Sequence, residues 1–168
     1  MNIVLAGMPG CGKTTTARAY SAIYGAEVID LDSEIVKEHG PINSIFEKSG
    51  EDVFRGFERD AVEKACRSDG KVISVGGGCV LFEANVRALR QNGKIVYLRT
   101  GLDTLVGRVE GNGDRPLLKD NFRAAMKELF EKRTPAYESV ADIIIDTDGL
   151  SAEEVARQIN IKLNKHIN

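Results

Sequence analysis

Long apolar runs are missing from these 168 residues: none approaches the roughly eighteen that a membrane-crossing helix needs. A basic excess is missing as well. The 23 Lys and Arg stand against 25 Asp and Glu, a net charge of −2, whereas nucleic-acid-binding domains are usually basic. Any cationic site must therefore be local. The three cysteines, Cys11, Cys66 and Cys79, are odd in number and lack C-x-x-C spacing, and there are only two histidines. That excludes a disulfide framework or a His/Cys zinc site and fits free thiols in a reducing cytosol. Met1 leads straight into apolar residues, with no basic segment or cleavage site, so no signal peptide is expected. No internal repeat, low-complexity tract or linker divides the chain. What remains is one domain spanning 1–168, cytoplasmic, with no membrane and no nucleic acid as partner. Its 42% hydrophobic and 29% charged residues are ordinary for a globular chain with a sizeable core.

Against these absences one stretch stands out, Gly7-Met8-Pro9-Gly10-Cys11-Gly12-Lys13-Thr14, which fits G-x-x-x-x-G-K-[ST] without a mismatch. Its setting fits too. Asn2–Ala6 reads as a short buried strand and Thr14–Tyr24 as a helix, the strand–turn–helix context of a phosphate-cradling loop. Glycines let the backbone approach phosphate oxygens with the helix N-terminus behind them. Lys13 is then expected at the β- and γ-phosphates of a nucleoside triphosphate, and the Thr14 hydroxyl on Mg²⁺. A glycine turn that merely joins strand to helix is the alternative.

Further strands are expected at Glu27–Asp30, Lys71–Val75, Lys94–Leu98 and Asp142–Asp146. Helices are expected from Asp32 to about Glu38, Ile42–Lys48, Glu51–Arg67, Glu83–Gln91, Leu102–Val109 and around Phe122–Tyr137. Ser151-x-x-Glu154 is a capping box that opens a last helix. The alternation predicts an α/β, three-layer fold, a five-stranded parallel sheet flanked by helices. Residues 110–121 carry Gly111, Gly113 and Pro116 without periodicity and are expected to form a lid loop. In such sheets ligands sit beyond the carboxyl ends of the strands.

The candidate residues gather at that rim. Asp30 and Asp32, two apart on extended chain, would face it together, Asp30 towards Mg²⁺ and Asp32 towards an acceptor hydroxyl whose proton it could take. Asp32 could equally be only the N-cap of the next helix. Arg55 has Glu51 four residues before and Glu58 three after, which reads as a solvated ion-pair cluster. Its neighbour Gly56 would allow close approach of another group. Gly76-Gly77-Gly78 suggests backbone packed against a ligand, or a flexible connector. Arg115 in the lid could close over phosphates or pair with Asp114. Arg133 lies on the apolar stripe between Leu129 and Tyr137, where a charge either finds a buried anion or snorkels outwards. Lys13, a lid arginine and Mg²⁺ already match a triphosphate. Arg55 and Arg133 are left over, which points to an anionic acceptor, since arginine forks suit a carboxylate or phosphate.

These motifs, with Phe54-Arg55-Gly56-Phe57-Glu58, Arg115-Pro116-Leu117-Leu118 and Arg133-Thr134-Pro135-Ala136-Tyr137, make the chain resemble the shikimate kinase family, of the nucleoside-monophosphate-kinase-like P-loop group, from Asn2 to about Asp148. The resemblance implies ATP-dependent phosphorylation of the shikimate 3-hydroxyl, giving shikimate 3-phosphate and ADP in aromatic amino-acid (chorismate) biosynthesis. It implies Lys13, Asp32 and Arg115 as catalytic residues, and Asp32, Arg55, Gly77 and Arg133 as shikimate-binding residues. Gly10, Cys11, Gly12, Lys13, Thr14, Thr15 and Arg115 would hold ATP, and Thr14 with Asp30 would hold Mg²⁺. The helical segment 32–62 would bind the acceptor, Glu58 would orient Arg55, and the enzyme is expected to be a monomer.

Two departures stand out. Asp146-Thr147-Asp148-Gly149 lacks the arginine that members often carry near the adenine, and Cys11 replaces a serine or alanine, which would make the loop sensitive to alkylation. Rival readings are a kinase for gluconate or a nucleoside monophosphate, a GTP-dependent switch and a non-catalytic ATP-binding module. Asp146-Thr147-Asp148-Gly149 fits the switch pattern D-x-x-G, but after the last strand, and Asn164-Lys165-His166-Ile167 lacks the aspartate of N-K-x-D.

Overall fold

The computed structural model describes residues 1–110 and 119–167. In chain order the elements are β1 (Asn2–Ala6), α1 (Lys13–Tyr24), β2 (Glu27–Asp30), α2 (Leu31–His39), α3 (Ile42–Ser49), α4 (Glu51–Ala65) and β3 (Lys71–Ser74). A 3₁₀ turn (Cys79–Leu81) follows, then α5 (Glu83–Asn92), β4 (Gly93–Arg99), α6 (Leu102–Glu110), α7 (Lys119–Val140), β5 (Ile143–Asp146) and α8 (Ala152–Ile167). The expected lid, 110–121, overlaps helices at both ends: Glu110 belongs to α6, and Lys119, Asp120 and Asn121 to α7. Positions 111–118, Arg115 among them, lie outside the described residues.

The strands form one parallel sheet in the order β2-β3-β1-β4-β5. Residues on both faces of β1 are buried, Val4 and Leu5 at 0% exposure, because helices cover the sheet on either side. Helix α1 packs on α8 over one side, while α4, α5 and α7 cover the other. The chain therefore leaves β1 and β3, which are neighbours, for opposite sides. That opens a crevice between their carboxyl ends, where parallel sheets bind ligands. The capping box at α8 forms as read: the Ser151 amide donates to Glu154 at 2.7 Å and the Glu154 amide to the Ser151 hydroxyl at 3.2 Å.

The main core runs through the whole sheet. A second, smaller apolar cluster, Ile35, Ile45 and Phe54, joins α2, α3 and α4, with Ile42, Phe57 and Ala61 packed against it. The segment from α2 to α4 is thus a small helical body with its own core, leaning on the sheet through α4. Its buried stripe is Phe54, Glu58, Val62 and Ala65, not the all-apolar Phe54, Phe57, Ala61 and Ala65 that periodicity suggested. A carboxylate has taken a core position, and the site explains why. Among the described residues no helix is long and apolar enough to cross a membrane.

Candidate active site

The loop after β1 has a left-handed residue, Gly12 (φ 95°, ψ 21°), as the N-cap of α1. A side chain would strain that conformation, so glycine is needed where the loop turns its amides towards the helix N-terminus. The Lys13 ammonium donates to the carbonyls of Gly7 (2.9 Å) and Met8 (3.0 Å), so the lysine closes the loop upon itself. Cys11 is 2% exposed, its sulfur lying 2.8 Å from where a Cβ on Gly7 would sit. The expected sensitivity to alkylation is therefore not a property of this conformation: the thiol is packed beneath the loop, and a reagent could reach it only if the loop moved.

The Thr14 hydroxyl donates to Asp30 Oδ2 at 2.5 Å and lies 3.4 Å from the Ser74 hydroxyl. The other Asp30 oxygen accepts from the Ser33 amide at 3.0 Å. Asp30, not Asp32, is the N-cap of α2. The strand stops at Asp30 and the helix starts at Leu31, so the two aspartates do not share an extended face; Asp32 sits in the first helical turn. Their electrostatics differ accordingly. Burial resists ionisation of Asp30, but hydrogen bonds from Thr14, Ser33 and Ser74 outweigh it and hold the carboxyl below the ordinary aspartate value. For Asp32 burial and then the Asp30 charge push the carboxyl up, only partly countered by Lys13 and Arg55.

The three consecutive glycines make a platform on which separate elements converge. A Cβ on Gly76 would lie 2.9 Å from Asp32 Oδ1 and 3.3 Å from Glu58 Oε1; one on Gly77, 2.9 Å from Arg133 Nη1; one on Gly78, 2.7 Å from Arg55 Nη2. Charged side chains lie against the backbone of all three glycines, so the stretch is packed rather than a flexible connector. The Tyr137 hydroxyl pins the platform by donating to the Gly77 carbonyl at 2.6 Å, and burial raises its pKa to about 12. Arg133, one helical turn earlier on α7, is half-buried over Gly77 rather than snorkelling away. Gly56, by contrast, has nothing within 4 Å of its would-be Cβ, so the close approach expected there does not occur.

Arg55 donates to Glu58 at 2.9 Å and to Glu51 at 3.3 Å, as the helical spacing required. The cluster is solvated only at Glu51, however; its Glu58 end is buried. Glu58 is 1% exposed, and burial raises its pKa against the pull of Arg55. This explains the polar residue in the α4 core stripe: a buried carboxylate is tolerated because a cation meets it.

A cavity of about 660 Å³ lies between the loop and the platform; Asp32 and Gly77 line it, whereas Arg55, Glu58 and Arg133 are not among its lining residues. The loop lines one wall, with Gly10, Cys11, Gly12, Lys13, Thr14 and Thr15; Asp30, Asp32, Ser74 and Gly77 line the other. Thr147 and Leu150 close the far end, and Arg108 lines the cavity while its Nη1 donates to the Gly10 carbonyl at 2.9 Å. Sequence reasoning missed Arg108. Its only signal was a cation in the last turn of the helix before the glycine-containing segment. The loop after β5 is braced instead by Thr147 against Thr100 (2.6 Å) and by Asp148 accepting from the Gly101 amide (3.1 Å).

A sheet of this order, with a phosphate-cradling loop at its switch point, defines a P-loop nucleotide-binding protein of the α/β class. Comparison with known proteins narrows this. A family model for shikimate kinase matches residues 9–164. The shikimate kinase of Persephonella marina is 40% identical over 159 residues, covering 94% of this chain and 96% of that one. That of Moorella thermoacetica is 39% identical, covering 94% and 91%. Among solved structures, shikimate kinase from Acinetobacter baumannii in complex with shikimate superposes with a TM-score of 0.88 at 34% identity, covering 98% of this chain and 93% of that one. The chain belongs to the shikimate kinase family.

Proposed function

We infer that this chain transfers the γ-phosphoryl group of ATP to the 3-hydroxyl of shikimate, giving shikimate 3-phosphate and ADP. The observation that carries the reading is the glycine platform. It gathers Asp32, Glu58 and two arginines, from three helices, beside the cavity lined by the P-loop, and of the two carboxylates only Asp32 lines that cavity. That arrangement suits an acceptor that presents a hydroxyl to Asp32 and a carboxylate to Arg55 and Arg133.

Each group has a task in in-line transfer, where positioning and charge neutralisation supply most of the catalysis. The amides of Gly10, Cys11, Gly12, Lys13, Thr14 and Thr15 hold the phosphates, and Lys13 exchanges its carbonyl partners for the β- and γ-phosphates. Asp32, whose carboxyl is already biased towards holding a proton, accepts the one released by the acceptor hydroxyl. Gly77 and Arg133 orient the acceptor, and Glu58 orients Arg55. Arg115, outside the described residues, acts from the lid on the phosphates. Thr14 and Asp30 present oxygen donors alone, which suits Mg²⁺ that takes its remaining ligands from phosphate and water. Mg²⁺ would neutralise phosphate charge there. The helical segment 32–62 serves as the acceptor-binding part of a single domain, its separate apolar cluster supporting a body that moves as one. We take the enzyme to act as a cytoplasmic monomer whose partner is a small molecule, with neither nucleic acid nor membrane.

The test is ADP release with a panel of acceptors: shikimate, gluconate and nucleoside monophosphates. Turnover with shikimate alone is expected. Preferential turnover of another acceptor would overturn the assignment.

A further inference from the structure

Phe82 links the glycine platform to α5, and it is an odd residue for its place. It holds the N-cap position of α5 with extended backbone (φ −104°, ψ 117°) and makes no side-chain cap. Ser, Thr, Asp or Asn there would satisfy a free helix amide, whereas an aromatic cannot. Nor is its ring recruited into the core, since the residue is 40% exposed. The ring instead meets Arg55, whose guanidinium carbon lies 5.0 Å from the ring centroid, within cation–π range.

Phe54, on the same helix as Arg55, puts a ring centroid 5.2 Å from the guanidinium carbon, and Phe82 adds the ring that comes from outside α4. The two ion pairs of Arg55, to Glu51 and Glu58, run to its own helix and grip the two terminal nitrogens. Its Nε is buried and has no hydrogen-bond partner among the described residues, so that edge of the fork has no polar group to align it. A Cβ on Gly78 would lie 2.7, 2.9 and 3.1 Å from Nη2, Nη1 and Cζ, three nearly equal distances that set the flat face of the guanidinium against the platform. Gly78 and Phe82 belong to one short connection and hold Arg55 from outside α4.

The geometry points to Phe82 as a positioning residue for acceptor recognition: its ring keeps the Arg55 guanidinium flat over Gly78, where the fork meets the carboxylate of the acceptor. The inference rests on the reading of Arg55 as a carboxylate binder. Helix capping at α5 has been given up for this contact. Because the ring spans two bodies, the sheet side and the α2–α4 segment, it also ties the acceptor-binding helices to the platform.

The test compares Phe82→Ser, Phe82→Leu and Phe82→Tyr for the KM of shikimate, the KM of ATP, kcat and Tm. Phe82→Ser restores a capping side chain, so Tm holds or rises, while Phe82→Leu keeps the apolar bulk without the ring. Both are expected to raise the shikimate KM about threefold to tenfold and to leave kcat and the ATP KM at wild-type values. Phe82→Tyr, which keeps the ring, retains the wild-type KM. A wild-type shikimate KM in Phe82→Leu would overturn the proposal. Arg55→Gln separates this from the underlying reading: if it leaves the shikimate KM unchanged, the role of Arg55 itself falls. If it raises KM while Phe82→Leu does not, Phe82 alone loses its role. In an Arg55→Gln background Phe82→Leu should add nothing, and an equal second rise would sink the coupling.

Discussion

The two halves of the site are built on different principles. The proposed donor half is centred on one continuous loop, with a lysine and a threonine at its end, and it sits directly on the main core. The acceptor half is assembled from side chains of α2, α4 and α7 over three glycines, with Asp32, Arg55 and Arg133 arriving from positions far apart in the chain. Part of it stands on a separate small core. On the proposed reading the phosphate-binding part of the nucleotide site is local to one loop, whereas acceptor recognition depends on how the α2–α4 segment meets the sheet. Substitutions in the first half should strike turnover as a whole. Those in the second should strike acceptor KM and spare the nucleotide.

The largest effect is expected at the donor loop. Lys13→Met should lower kcat at least about a hundredfold while the far-ultraviolet circular dichroism remains native, because the charge proposed to reach the reacting phosphates is lost. Retained kcat would break the comparison at once. Next comes Gly78→Ala, whose new methyl would lie inside contact distance of the Arg55 guanidinium. The guanidinium, the far end of a flexible side chain, must then shift, so the shikimate KM should rise while ADP binding, measured by calorimetry, stays at wild type. A smaller effect is expected of pH. Asp32 ionises above the ordinary aspartate value, through burial first and the Asp30 charge second. If its ionised form takes the proton, kcat/KM is full above that pKa and falls about tenfold per pH unit below it. The same profile in Asp32→Asn would remove Asp32 as the base. The least perturbing change is Gly56→Ala, where a methyl meets nothing within 4 Å. It should stabilise α4 by up to about 1 kcal/mol, read as a higher Tm, with unchanged kinetics.

The same division decides what could be read in the sequence. The donor loop was legible because backbone geometry imposes its glycines and lysine within eight consecutive residues. The strands and the α8 cap were legible for a similar reason, since both are written in short-range pattern. Asp30 and Asp32 do face one cavity, as expected, but because the strand ends at Asp30 they do so as an N-cap and a first-turn residue rather than as an alternating pair. Glu58 looked like surface because helical spacing places it beside Arg55 but says nothing of what covers the pair. Arg108 carried no readable pattern, for it reaches the loop from 98 residues away. The charges that define the acceptor half were visible as a surplus, but the platform that unites them is a tertiary fact.

The division into halves is tested most directly by titrating shikimate and ADP separately into Arg133→Ala by calorimetry. The account predicts that shikimate binding weakens about tenfold to a hundredfold, the loss of a charge-assisted pair, while the ADP Kd stays at its wild-type value. Wild-type affinity for shikimate, or an equal loss for both ligands, would contradict it.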